Sequence, residues 1–225
     1  MLEKILVIQT ASIGDVILAT PVLEKLHHYH PACKIDFLLK KGNESLLLNH
    51  PFINEVLVWN KKDGKYRNLY NLIRKIRSRK YDLVINIQRF ASSGVITALS
   101  GAEQKVGFDK NPFSFLYSKR IPHIINDINV HEVDRNLLLI EDITDKSRFP
   151  VKLYPSEADY QYIKQFTPSP YLTLAPSSLW FTKQFPEEKW IEFIKNVDTK
   201  FKIYLLGSQN DSELCNRIME MSASG

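Results

Sequence analysis

The sequence predicts an α/β fold: a complete Rossmann-like domain on a parallel, doubly wound sheet, then the start of a second Rossmann-like domain. Three observations carry this expectation. Short runs rich in apolar, branched and aromatic residues recur at 4–8, 35–39, 56–59, 83–87 and 105–108, as buried strands do. Helical repeats separate several of them, with Val16, Ala19, Leu23 and Leu26 on one and Leu69, Leu72, Ile73 and Ile76 on another. Strand and helix alternate again after residue 170, and such alternation implies parallel strands joined by crossover helices.

The first strand, 4–8, runs into Gln9-Thr10-Ala11-Ser12-Ile13-Gly14-Asp15 and then into a helix ending near His28. Ligands of open parallel sheets bind outside the carboxyl ends of the strands, so this turn is the first candidate site. Gly14 permits a tight turn there, and Asp15 opens the helix. Asp15 reads either as a helix cap, favoured by the helix dipole, or as a functional carboxylate, and one residue can do both. Pro21 should kink this helix, or start its main segment after a Thr20 cap. A further helix at 131–140 closes the first unit. Prolines at 150 and 155 and the polar start at Ser156 then mark a boundary within 145–160. The domains are therefore expected at 1–150 and 151–225.

The second unit begins with a strand at 171–176, a helix at 187–197, a strand at 202–206 and a helix from about Asp211. Two strand-helix units bury both faces of a parallel sheet poorly, so the chain is expected to stop inside this domain. The turn after its first strand carries Ser177, Ser178 and Lys183 ahead of a helix start at Glu187, which suits a phosphate or diphosphate. It is not a Walker A loop, and no Gly-x-Gly-x-x-Gly fingerprint occurs.

Composition narrows the class. Hydrophobic residues at 44% and charged residues at 24% suit a globular protein rather than a disordered one. No run approaches the ~18 apolar residues of a membrane-spanning helix, and no signal-peptide pattern precedes the first strand, so a cytoplasmic location is expected. Cys33 and Cys215 stand far apart with no Cys-x-x-Cys spacing, and the His27, His28 and His30 cluster has no second ligand pair. Neither a disulfide framework nor a metal site is indicated. The net charge of +5 is concentrated: nine of the twenty residues in 61–80 are basic and only Asp63 is acidic. A solvated helix face accounts for Arg74 to Lys80. Lys61, Lys62 and Lys65 precede that helix and could reach an acidic substrate or an anionic membrane surface.

Several of these motifs together resemble glycosyltransferase family 9, the ADP-heptose:lipopolysaccharide heptosyltransferases. The resemblance is carried by Ser12-Ile13-Gly14-Asp15 with Thr20-Pro21, the segment 81–88, Ser100-Gly101-Ala102, Val106-Gly107-Phe108-Asp109, His131-Glu132-Val133-Asp134-Arg135, and the block 183–190. It spans nearly the whole chain and implies a GT-B fold, with acceptor bound by the N-terminal domain and nucleotide-sugar donor by the C-terminal one. The implied reaction is inverting transfer of a heptose or related sugar from a nucleoside diphosphate, with ADP-heptose as the expected donor, to an anionic lipid-linked glycan of the lipopolysaccharide core. Asp15 would be the general base. Ser177, Ser178, Lys183 and Asp211 would meet the donor diphosphate without a metal or other cofactor. Ser12, Gly14, Lys61, Lys62 and His131 would contact acceptor or sugar, although His131 also reads as a simple helix cap. The resemblance further implies a monomer in peripheral contact with the inner membrane, and no nucleic acid partner.

Three departures from the family pattern stand out. Gln9 and Ala11 replace the usual Arg or Lys and Ser, which removes a cationic contact near the base. Phe185 stands for Trp. The Asp-x-Gly-x-x-His donor loop of the family is not met before Gly225. An alternative reading is therefore an inactive, truncated fragment that only binds a nucleotide sugar or a partner.

Overall fold

The computed structural model describes residues 2–62, 64–124, 130–178 and 180–223. Asp63 of the basic run and the terminal Gly225 lie outside them. The chain divides into two compact units, Met1–Pro155 and Ser156–Gly225.

In the first unit the described elements are β1 (Lys4–Ile8), α1 (Ile13–Tyr29), β2 (Lys34–Lys40), β3 (Ile53–Trp59), α2 (Lys65–Ser78), β4 (Leu83–Asn86), α3 (Ala91–Leu99), β5 (Gln104–Phe108), β6 (Lys119–Ile121) and α4 (Glu132–Leu138). The six strands pair in parallel in the order β3-β2-β1-β4-β5-β6. The order reverses between β1 and β4, and at such a switch point the two following turns diverge to opposite faces and open a crevice.

Both faces of the sheet are covered, which explains why the strands read as continuous apolar runs. Ile5 and Val7 pack on one side against Val16, Leu23 and Leu26 of α1 and Val133 and Leu137 of α4. Leu6 and Ile8 pack on the other, against Leu72 and Ile76 of α2 and Ile96 of α3. The strand alternation thus sends successive β1 side chains into two separate cores.

Pro21 does not interrupt α1: the helix runs through from Ile13, so it does not restart after a Thr20 cap. A proline at position 21 cannot donate to the carbonyl of Ile17. The Thr20 hydroxyl donates to that carbonyl instead, at 2.8 Å, and the buried ring packs in the core-facing stripe. Two elements escape a pattern reading. β6 is a three-residue edge strand, Lys-Arg-Ile, with too little apolar character to stand out. Short α3 is rich in Ser, Thr and Gly, and owes its helix to packing rather than propensity.

The segment after α4 is tied down by polar contacts. Fully buried Lys25 donates to the carbonyls of Asp145 and Ser147, both at 2.7 Å, and pairs with the Asp145 carboxylate at 3.0 Å. Residues 151–155 continue on the first unit rather than opening the second: Lys152 N–H donates to Thr20 Oγ1 at 3.1 Å and the Tyr154 hydroxyl to Glu24 at 2.8 Å. The division therefore falls after Pro155, five residues beyond the proline pair's first member.

His50 lies in this region, buried among Phe52, Tyr154 and Glu24. Burial, reinforced by Lys152 and His27, lowers its pKa to about 4. A histidine depressed in the folded state from its ordinary 6.5 stabilises fully above pH 6.5 and loses that contribution as pH falls toward 4. The loss is on the order of 3 kcal/mol, the free-energy equivalent of that lowering. Melting temperatures measured between neutral pH and the histidine's lowered pKa should fall less steeply in His50→Gln than in the parent chain. An identical slope would remove His50 as the cause.

The second unit holds α5 (Glu157–Lys164), β7 (Tyr171–Leu174), α6 (Glu187–Asn196), β8 (Lys202–Leu205) and α7 (Ser212–Ala223), with β7 and β8 paired in parallel. Arg217 of α7 grips Glu187 at the start of α6 through two bonds, at 3.1 and 3.0 Å. Ile218 and Pro176 are buried in this unit, while Trp180, Phe181 and Leu206 stay exposed.

Candidate active site

The turn after β1 is braced from three sides. Buried Gln88, beyond β4, accepts from the Thr10 hydroxyl at 2.8 Å and donates to Gln9 Oε1 at 2.6 Å; that oxygen also takes the Ala11 N–H. Asn43, beyond β2, donates to the Ala11 carbonyl at 3.1 Å. Lys61, beyond β3, donates to both the carbonyl and the hydroxyl of Thr10, at 3.0 and 3.1 Å. Buried amides and hydroxyls with their partners filled make a rigid seat.

On this seat Ser12 is the N-cap residue of α1 and Asp15 stands in its first turn. Asp15 Oδ2 accepts from the Ser12 N–H at 3.0 Å and from the Ser12 hydroxyl. The capping role is therefore real. It occupies one carboxylate oxygen and leaves Oδ1 with no hydrogen bond among the described residues. The carboxylate is half-buried, fixed by its cap, and held at the positive end of a seventeen-residue helix.

Gly14 corrects one expectation. Its φ is not in the left-handed region, so no tight turn requires glycine here. A Cβ added at Gly14 would meet nothing within 4 Å. The fold tolerates a side chain at a helical position where glycine is costly, and what glycine offers instead is an uncovered backbone beside Asp15. Gly14→Ala is accordingly expected to leave stability equal or raise it by up to about 1 kcal/mol, while weakening acceptor binding. A melt combined with acceptor titration checks both, and unaltered affinity would show that no ligand approaches this backbone.

Beside the turn, the carboxyl ends of β2 and β3 enclose a cleft of about 540 Å³, lined by Lys40, Lys41, Gly42, Asn43, Trp59, Asn60, Lys61 and Lys62. Four lysines and, among the described residues, no carboxylate line it. Gly42, at φ 101°, makes the turn that admits this wall. The Lys61 ammonium sits 4.5 Å from the centre of the Trp59 ring, and burial, with Lys40 and Lys65 nearby, lowers its pKa. Two of its three N–H groups are used on Thr10, and the third can serve an anion. A cation thus reaches the turn after β1 from the end of another strand. Nothing in the sequence pairs residue 61 with residue 10, fifty-one positions away; only the order of the strands does.

The remaining first-unit candidates behave differently. Lys62 is exposed on the cleft. His131 is the N-cap of α4, its Nδ1 accepting the Val133 N–H at 3.2 Å, so the capping alternative is the one the geometry displays.

In the second unit, Ser177 and Ser178 are half-buried after β7, and the Ser178 hydroxyl accepts the Trp180 N–H at 3.2 Å. Lys183 is exposed at the end of a single 3-10 turn, with no ion pair among the described residues. Asp211 accepts from the Ser208 N–H and hydroxyl, both at 2.7 Å, and from Ser177; these bonds lower its pKa, the Ser208 hydroxyl first. Asp211 thereby joins the ends of β8 and β7. The α6 start is less suited to an anion than its position suggests, because Glu187 and Glu188 crowd it with negative charge and, among the described residues, only Glu187 is neutralised, by Arg217.

With this geometry in place, comparison with known proteins is decisive. The family model for glycosyltransferase family 9 (heptosyltransferase) matches residues 69–223. The chain belongs to this family. Among curated proteins, lipopolysaccharide heptosyltransferase 3 of Escherichia coli is 30% identical over 132 residues, covering 56% of this chain and 39% of that protein. The chain thus spans about two fifths of the length of that relative. Among solved structures, the family 9 glycosyltransferase of Veillonella parvula superposes with a TM-score of 0.84 at 21% identity, over 97% of this chain and 66% of that one. The E. coli ADP-heptose lps heptosyltransferase II gives 0.79 at 20% identity, over 98% and 70%. These likenesses establish the fold: α/β, of the GT-B type, as the sequence resemblance implied. No helix among the described residues is long and apolar enough to cross a membrane.

Proposed function

We propose that this family 9 chain is the acceptor-binding part, with a portion of the donor-binding part, of an inverting glycosyltransferase that moves a heptose from ADP-heptose to an anionic, lipid-linked lipopolysaccharide-core acceptor at the cytoplasmic face of the membrane. The observation that carries the reading is a capped carboxylate with one oxygen to spare, set beside a cleft lined by four lysines. A bare helix cap has no need of such a cleft.

The acceptor's phosphate or carboxylate groups enter among Lys40, Lys41, Lys61 and Lys62, and the uncovered backbone at Gly14 lets its sugar come close. Asp15 Oδ1 takes the proton of the acceptor hydroxyl as that oxygen attacks the anomeric carbon. The new bond forms on the face opposite the breaking bond to the diphosphate, so the sugar is inverted. Charge developing on the leaving diphosphate is met by Lys183 and the hydroxyls of Ser177 and Ser178, and the mechanism asks for no metal. Asp211 holds Ser177 and Ser208 in place and completes this donor-binding group. The heptose identity of the donor rests on the family and on the named substrate of the E. coli structural relative.

ADP release from ADP-heptose, measured with and without a phosphorylated core acceptor, tests the reading. Release that requires the acceptor supports it. If donor binds and no acceptor ever stimulates release, the alternative of a binding-only fragment replaces it.

A further inference from the structure

We propose that the exposed flank of α2 that carries Tyr66, Tyr70 and Arg74 is a docking surface for an anionic lipid bilayer. The helix sequence, Lys-Tyr-Arg-Asn-Leu-Tyr-Asn-Leu-Ile-Arg-Lys-Ile-Arg-Ser, contains no acid. Its Leu72 and Ile76 are buried in the core and its Leu69 and Ile73 pack against it. Along the flank of that face Tyr66, Tyr70 and Arg74 form an exposed stripe at i, i+4 and i+8.

Two features separate this stripe from an ordinary solvated face. Tyr66 is 81% and Tyr70 60% exposed, although solubility gains nothing from large rings in water. Their neighbours Lys65, Arg67 and Arg74 form no ion pair among the described residues, whereas Lys75 and Arg79, at the far end, are engaged by Glu55 and Asp36. Exposed tyrosines flanked by unpaired cations match the headgroup layer, where amphipathic rings reside and phosphates attract Lys and Arg. Lys65 lies 5.8 Å from the centre of the Tyr66 ring, and the Arg74 guanidinium 5.8 Å from that of Tyr70. Cations so placed leave each ring less open to base stacking than a single-strand nucleic acid platform requires. From Tyr66 to Arg77 the face runs about 16 Å along the helix. It begins immediately after Lys61 and Lys62, so a lipid-linked glycan could reach the lysine cleft from the same membrane.

The choice of partner rests on the proposed reading, but vesicles free of glycan test the surface separately from transfer. The chain should float with phosphatidylglycerol vesicles, not with phosphatidylcholine vesicles, and should be released in about 1 M salt, where screening shortens to roughly 3 Å. Arg67→Gln with Arg74→Gln should weaken partitioning about 25-fold, at about fivefold per cation. Tyr66→Ser with Tyr70→Ser should also weaken it, and unchanged melting curves would show that both variants fold. Wild-type partitioning by the arginine variant overturns the proposal, as does equal binding to both vesicle types. A duplex or single-stranded oligonucleotide that binds through the same arginines and strips the chain from vesicles would reassign the surface to nucleic acid. Active transfer with no vesicle binding would refute the surface alone; vesicle binding with no transfer would refute only the enzymatic reading.

Discussion

Asp15→Asn is expected to lower turnover by about two to four orders of magnitude, the usual worth of a general base, with little change in acceptor affinity. The physical reason is that asparagine keeps the shape of the first turn and retains an oxygen to accept the Ser12 N–H, now held at 3.0 Å, but cannot take a proton at neutral pH. Loss of the cap in Asp15→Ala would cost roughly 1 kcal/mol of stability, so Asn is the cleaner probe. A melting temperature within a few degrees of the parent chain, combined with lost turnover, separates chemistry from folding. Normal turnover by Asp15→Asn would leave the carboxylate as a cap and nothing more.

Lys61→Met is expected to raise the KM for an anionic acceptor by about 10- to 100-fold, the value of one charge-assisted hydrogen bond. Methionine preserves the aliphatic stem against Trp59 and removes the ammonium that lies 4.5 Å from its ring. Because Lys61 also braces Thr10, kcat should fall modestly as the turn beneath Asp15 loosens. Lys61→Arg should restore much of the affinity. A neutral acceptor analogue provides the discriminating arm: its KM should be insensitive to the charge at position 61. If neutral and anionic acceptors respond alike, Lys61 only positions the turn, and the cleft reads no charge.

The elements legible in the sequence are those whose signal is local. β1 and β4 show as apolar runs because both faces of the sheet are covered, and the cap at Ser12 and Asp15 shows because its partners lie three residues apart. What escaped depends on distance or on override. Thr20 rescues the carbonyl that Pro21 would have orphaned, so a nominal helix breaker sits inside α1. β6 is set by its neighbour β5 rather than by its own composition. The cleft combines residues from the ends of β2 and β3; Lys61 and Lys62 stood out in the basic run, but Lys40 and Lys41 belong to a different strand end and gave no local signal. Gly14 was visible as a glycine, but only the empty space above it gives that glycine a reason.

An anionic acceptor is expected to occupy the lysine cleft with its hydroxyl on Asp15. A crystal structure of the chain with a phosphorylated core-acceptor analogue tests it most directly. The expected result is an anionic group on Lys61 and Lys62 and the reacting hydroxyl within about 3.2 Å of Asp15 Oδ1. An acceptor bound away from the ends of β1, β2 and β3, with Asp15 touching only Ser12, would contradict it.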